Sequence, residues 1–227
     1  KIKTKKKIKK VYFGSYDPDI RSFKKAKSFL NKKGIDVKKI KTKNYKNFYK
    51  SYFINKKLNI PYVSAKIALS NDFFSINYKK RWITNERSRK IVHLLRSRYD
   101  CILSTAKTIN LDNSLLNCRI DGLDKFKPDL FIIDLNLKLK KNLLLNKMIK
   151  KRKTYIVTSK SNSRKVNIYK RNGYKFIFIN TLKEKKDFIS LYKKIYKLGY
   201  SRVLLETGLI FFFFFFKNKL INNFYLF

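Results

Sequence analysis

The chain has 227 residues, 44 % of them hydrophobic, and 57 Lys and Arg against 14 Asp and Glu give a formal net charge of +43. That apolar content excludes a disordered tail, and the length admits one medium domain, or one domain plus a piece of another. The charge alone would suit nucleic acid or an anionic surface, but Lys, Ile, Asn, Phe and Tyr are abundant together while Gly, Pro and Arg are scarce, as AT-rich codon usage produces in almost any protein.

In chain order, residues 9–15 read as a short strand. Residues 21–33 carry Phe23, Ala26, Phe29 and Leu30 at helical spacing and end at Gly34. Residues 35–40 are a second strand, so the chain opens with a strand–helix–strand unit. Residues 44–58 are expected to be helical, with Tyr45, Phe48, Tyr49 and Phe53 on one face. After Pro61 the spacing predicts a strand over 62–70 and a loop or hairpin over 71–81. A helix over 85–98 follows, capped by Thr84 and striped by Ile91, Leu94 and Leu95. A buried strand covers 100–104, a stretch that is mostly loop with a short helical turn 105–119, and a strand 130–134. Strands over 154–158, 175–179 and 202–206 alternate with helices over 163–172 and 182–198, and Gly208 leads into a Phe-rich helix. Such alternation predicts an α/β fold with a mostly parallel sheet.

Some chemistry is excluded by what is missing. Cys101, Cys118 and His93 cannot assemble an ordinary zinc site, and two isolated thiols suit a reducing cytoplasm. The basic start lacks the apolar stretch of a signal peptide, and the most apolar run, 209–216, falls short of the ~20 residues that span a bilayer. A start without Met and an end on a strand (224–227) lead us to expect a fragment at both ends.

Ligands of open α/β sheets bind beyond the carboxyl ends of the strands. Polar residues expected there are Lys66 and Ser70, Thr105, Thr108 and Asp112, Asp134, and Glu206 with Gly208. A Gly at a strand-to-helix junction lets backbone approach a phosphate, which free N–H groups can bind, although it is equally a plain turn residue. Arg96 and Arg119 could hold a phosphate in bidentate fashion, or lie on a solvated basic face. Trp82 suits packing on a flat ring but equally a staple onto the next helix. His93, mid-helix with no catalytic constellation near it in sequence, reads as structural.

Taken in order, these residues resemble a known family. Pro61, Tyr62, Val63, Lys66, Ala68 and Ser70 follow the pattern P-[FY]-V-x-x-K-x-A-x-S. Trp82, Ile83 and Thr84 supply W-I-T. Leu95 and Arg96 end a helix in L-R, Asp100 to Leu103 give D-x-I-L, and Thr108, Asp112, Leu116 and Arg119 follow T-V-x-x-D-[DN]-P-x-L-[TN]-x-R. Leu130 to Asp134 fit a V-L-D strand, and Glu206 to Gly208 fit the end of V-E-G-G. The set, over about residues 56–227, resembles the reductase domain of the bifunctional riboflavin-biosynthesis deaminase/reductase. Val11 to Asp19 and Gly34–Ile35 resemble the closing segment of that family's deaminase domain, so residues 1–55 look like a C-terminal remnant of a cytidine-deaminase-like domain without its zinc motifs.

The resemblance implies a dihydrofolate-reductase-like fold, its mostly parallel central sheet flanked by helices and preceded by the short α/β remnant. It implies NADPH-dependent reduction of the ribosyl group of 5-amino-6-(5-phosphoribosylamino)uracil to ribityl, with zinc and deaminase activity belonging only to the full-length protein. Ala68, Trp82, Thr108, Asp112 and the backbone from Gly208 fall on cofactor-contacting positions. Lys66, Arg96, Leu116, Arg119 and Glu206 fall on substrate-contacting positions, and Lys66, Asp112 and Glu206 are the groups available for proton handling. The implied partners are a phosphorylated aminopyrimidine and a second copy in a homodimer, with no membrane and no nucleic acid. The chain departs from the pattern at Phe73 (family Gly), Lys80 (Ser), Leu135 (Ser), and in the Gly-rich turn, reduced to Thr207, Gly208 and Leu209 before Ile210 and six Phe. The altered Gly turn and Leu135 keep a non-catalytic reductase-like domain as the alternative; a nucleic-acid binder would need exposed aromatics among the basic residues.

Overall fold

The computed structural model describes residues 8–19, 21–40, 48–75, 83–123, 127–159 and 163–227. They fall into two compact units, Lys1–Asn59 and Ile60–Phe227.

The first unit contains β1 (Lys10–Phe13), α1 (Lys25–Lys32), β2 (Asp36–Lys39) and α2 (Lys50–Leu58). The strands pair in parallel with Val11 opposite Val37, as the strand–helix–strand reading requires. Gly34, at φ +76°, ends α1 in the left-handed conformation that glycine adopts without penalty, and the Ile35 N–H reaches back to Leu30 O at 3.1 Å. The expected apolar stripe of α1 is not a core stripe. The helix begins after Phe23, no α1 residue is buried, and Phe29 stays 62 % exposed, because two short strands offer little surface to cover it. Phe48 and Tyr49 likewise precede α2 and are exposed; Tyr45 lies outside the described residues.

The second unit contains β3 (Tyr62–Ile67), α3 (Glu86–Arg96), β4 (Cys101–Thr105), α4 (Ala106–Asp112), β5 (Asp129–Ile133), a 3-10 turn (Leu144–Met148), β6 (Thr154–Ser159), α5 (Ser163–Arg171), β7 (Lys175–Ile179), α6 (Lys185–Lys197), β8 (Arg202–Glu206), α7 (Leu209–Lys217) and β9 (Asn223–Leu226). The strands form one sheet in the order β7-β6-β5-β4-β8-β3-β9, every neighbouring pair parallel. β8 inserts between β3 and β4, so the last strand–helix unit enters the middle of a sheet already laid down.

Side-chain alternation gives the sheet two buried faces. Val63, Ala65, Leu103, Phe131, Val203 and Leu205 meet α6 and α7 through Phe188, Leu191, Phe212 and Phe215. On the opposite face Ile102, Leu130, Ile132 and Leu204 meet α3, α4 and α5 through Leu95, Ile109 and Val166. Burial on both sides is why these strands read as continuous apolar runs.

Local departures from the sequence reading have plain causes. Asn85, not Thr84, caps α3: its side-chain oxygen accepts the Ser88 N–H at 2.8 Å. The buried stripe of α3 is Val92 and Leu95, while Ile91 and Leu94 face outward. The short helical turn expected after β4 is the seven-residue α4, which Thr105 caps by accepting the Thr108 N–H on its Oγ1. The six phenylalanines divide by helical spacing. Phe212 and Phe215 enter the core, Phe211 and Phe214 pack at its edge, and Phe213 and Phe216 are exposed. Among the described residues no helix is long and apolar enough to cross a membrane.

Candidate functional site

Of the polar residues singled out from the sequence, Lys66, Glu206, Arg96 and Asp112 come together around the carboxyl ends of β3 and β8. Lys66 and Glu206 are register partners on these adjacent strands, so their side chains leave the same face. Glu206 is buried yet charged. Arg96 at the end of α3 grips it with both arms of its guanidinium, Nε to Oε1 at 2.7 Å and Nη2 to Oε2 at 2.8 Å. Burial alone would raise the Glu206 pKa, but the Arg96 charge and hydrogen bonds, helped by Lys66, hold it below the usual carboxylate range. The same contacts raise the Arg96 pKa against its own desolvation.

Lys66 acts on a second carboxylate. Asp112 closes α4, and the protein crowding its carboxyl raises its pKa, against a smaller opposing effect of the Lys66 charge. Both carboxylates expected to handle protons are therefore within electrostatic reach of Lys66, with one held ionised and the other eased toward its neutral form.

Residues 113–119 run past this cluster as a strap. Arg96 Nη1 donates to Asn117 O at 3.2 Å. His93, one helical turn before Arg96, places Nδ1 2.9 Å from the same carbonyl and Nε2 3.2 Å from Arg119 Nη2. A carbonyl only accepts and a guanidinium only donates, so His93 is neutral, with its proton on Nδ1. Burial and the Arg96 charge lower its pKa accordingly, with Arg119 adding to the effect. The sequence reading missed His93 as a member of this cluster; the available signal was its i, i+3 spacing from Arg96, which puts both on one helix face. The exposed Arg119 and the buried Arg96 thus do different work. The Leu116 side chain is buried in the core with Ile109 and Ile132, so what it offers a ligand is main chain.

Where β8 ends, Gly208 opens α7 with an extended backbone, and a Cβ built on it would meet nothing within 4 Å. By helix geometry the N–H groups of Leu209, Ile210 and Phe211 have no carbonyl within the helix. Leu209 packs toward the core and the Phe side chains diverge into it or away from it, so the six-Phe run does not fill the space before Gly208. That end of the helix suits a nicotinamide cofactor's phosphate. Of the other expected cofactor contacts, Ala68 follows β3 half-buried. The Thr108 hydroxyl sits 3.0 Å from Thr105 Oγ1, and Trp82, with Lys80, lies outside the described residues. Phe73, where the family pattern has glycine, holds φ +65°. Asp134 is a turn clasp, its carboxylate accepting the Lys138 and Leu139 N–H groups at 2.8 Å each.

The family described as the RibD C-terminal domain matches residues 61–227. The riboflavin biosynthesis protein RibD of Actinobacillus pleuropneumoniae is 25 % identical over 204 residues, covering 88 % of this chain and 54 % of the relative, so the chain spans about half the length of that protein. Among solved structures, RibD of Acinetobacter baumannii aligns over 96 % of this chain and 60 % of its own, with a TM-score of 0.76 at 21 % identity. A diaminohydroxyphosphoribosylaminopyrimidine deaminase/5-amino-6-(5-phosphoribosylamino)uracil reductase from Thermotoga maritima aligns over 88 % of this chain and 54 % of its own, with a TM-score of 0.67 at 22 % identity. The seven-stranded unit has the dihydrofolate-reductase-like fold of these reductase domains, and the chain belongs to the RibD C-terminal domain family.

Proposed function

We propose that residues 60–227 reduce the ribosyl group of 5-amino-6-(5-phosphoribosylamino)uracil with NADPH. The observation that carries this reading is the pairing of Lys66 with Glu206 on adjacent strand ends, beside Asp112 and the open start of α7. The first unit is, on this reading, the end of a deaminase domain whose zinc is held elsewhere in the full-length protein.

When bound, the cofactor supplies hydride to the anomeric carbon of the opened sugar. The chain supplies orientation and charge. Backbone N–H groups at the start of α7 hold a cofactor phosphate. Glu206, fixed by Arg96, accepts a hydrogen bond from a sugar hydroxyl. Lys66 donates to a sugar oxygen, and Asp112, whose pKa is raised by the protein around its carboxyl, exchanges a proton with the opening sugar. The substrate phosphate falls to Arg119, because Arg96 has both arms on Glu206.

The test follows NADPH absorbance with the deaminated substrate and the full-length protein. Folded protein that oxidises no NADPH would favour the alternative, a non-catalytic reductase-like domain. Gly208→Ala should leave the unfolding midpoint unchanged, since its methyl meets open space, yet raise KM for NADPH about tenfold by crowding the phosphate. An unchanged KM would remove the cofactor phosphate from α7.

A further inference from the structure

Arg152, between the 3-10 turn and β6, lies in none of the motifs discussed above. It is 6 % exposed and has no carboxylate partner among the described residues. Its guanidinium instead grips main chain. Nη2 donates to Leu115 O at 2.5 Å, and Nη1 to Leu116 O at 2.6 Å and Pro128 O at 3.1 Å. Nε has no hydrogen-bond partner among the described residues. Burial, with the Arg96 charge, pulls its pKa down to about 10.

A buried cation without an anion is costly, so what it holds should require a planar fork. The backbone it holds is held against preference. Asn113 and Leu116 take φ +44° and +46°, a left-handed region that a leucine resists. Three successive carbonyls are fastened, those of Leu115 and Leu116 by Arg152 and that of Asn117 by His93 and Arg96. Two residues further on stands Arg119, its guanidinium steered by His93.

We propose that Arg152 is a positioning residue for a phosphate monoester: by fixing the carbonyls of Leu115 and Leu116 it sets the direction of Arg119. The proposal rests on the reading of Arg119 as the phosphate contact. A lysine, with one point charge, could satisfy one carbonyl but not brace two peptide units at a fixed angle.

The experiment titrates ribose 5-phosphate, with ribose as control, into the full chain by calorimetry. It compares the unaltered protein, Arg119→Ala, Arg152→Lys and the double variant, each first shown to be folded; Arg152→Gln replaces Arg152→Lys if that variant does not fold. The unaltered protein should bind the phosphate ester and not ribose. Each single substitution should weaken binding about tenfold, and the double should be within about twofold of Arg119→Ala alone, since Arg152 acts through Arg119. Unaltered affinity in a folded Arg152 variant, or losses that add, would overturn the proposal. So would an unaltered protein that binds no phosphate ester, while NADPH oxidation with the pathway substrate would still uphold the reductase reading. Oxidation without this coupling, or coupling without oxidation, separates the two.

Discussion

Two arginine–carboxylate forks in this chain have nearly the same geometry and different surroundings. Arg21 meets Asp19 through Nε at 2.9 Å and Nη2 at 2.6 Å; Arg96 meets Glu206 at 2.7 and 2.8 Å. In the first, two positions apart in sequence, the arginine side chain is 83 % exposed, and Asp19 is covered by Arg21 and Lys56, which are flexible charged chains. In the second, 110 positions apart, the side chains are 12 % and 7 % exposed and the cover is core. Identical hydrogen bonds therefore differ in consequence: one is a local clasp in water, the other a charge that can live inside the protein only while its partner is present.

The largest expected effect breaks the buried fork from one side. Arg96→Ala leaves Glu206 ionised and unpaired, or forces it to take up a proton, and should cost about 3–5 kcal/mol in denaturant unfolding of the second unit. Arg96→Ala together with Glu206→Leu should recover much of that loss, because the desolvated charge is gone. If the single substitution costs no more than a surface change, the two forks are equivalent and the distinction fails.

The pH dependence of stability sharpens the same point. Glu206 has a folded pKa below its unfolded value. Its contribution is therefore fully present above the ordinary glutamate pKa of about 4.3, and is lost as pH falls below that toward the folded value. His93 works at a higher window. Its folded pKa is also lowered, so between about 6.5 and that lower value the unfolded chain binds the proton the folded chain refuses, and stability declines as pH falls. Denaturant titrations across both windows should show two declines, with Glu206→Gln reducing the acidic one and His93→Gln removing the one that begins below about 6.5. A His93→Gln profile that keeps the upper decline would place another group there.

The fold was legible because burial on both sheet faces leaves runs of apolar residues in β4, β5 and β8, and β8 was placed at 202–206 as observed. The site was legible only in part. Lys66, Asp112 and Glu206 stand at strand or helix ends where a carboxyl-end rule points. What could not be read was pairing: nothing local to Arg96 says that a carboxylate 110 positions later will occupy both its arms. Arg152 is hidden for the same reason, being one cation among 57 Lys and Arg, distinguished solely by what the 3-10 turn and β6 bury it against. The exposed stripe of α1 erred in the other direction, since helical spacing reports a face without reporting whether anything covers it.

The smallest effect is expected at the exposed fork, and it is the more searching test. Asp19 has its pKa driven down by hydrogen bonds from the Arg21 side chain and main chain and from Lys56, which taken at face value would promise a large stabilisation. Arg21 stands in water, though, and Lys56 is only partly covered, so each must give up freedom to hold the clasp and mobile ions compete for it. Asp19→Asn keeps an oxygen for the Arg21 N–H and removes the charge. It should shift hydrogen exchange of the β1 and β2 amides only slightly at low salt and not at all at high salt. A loss that persists at high salt would mean Asp19 is sheltered by more than its own partners, and would make the exposed fork a smaller copy of the buried one.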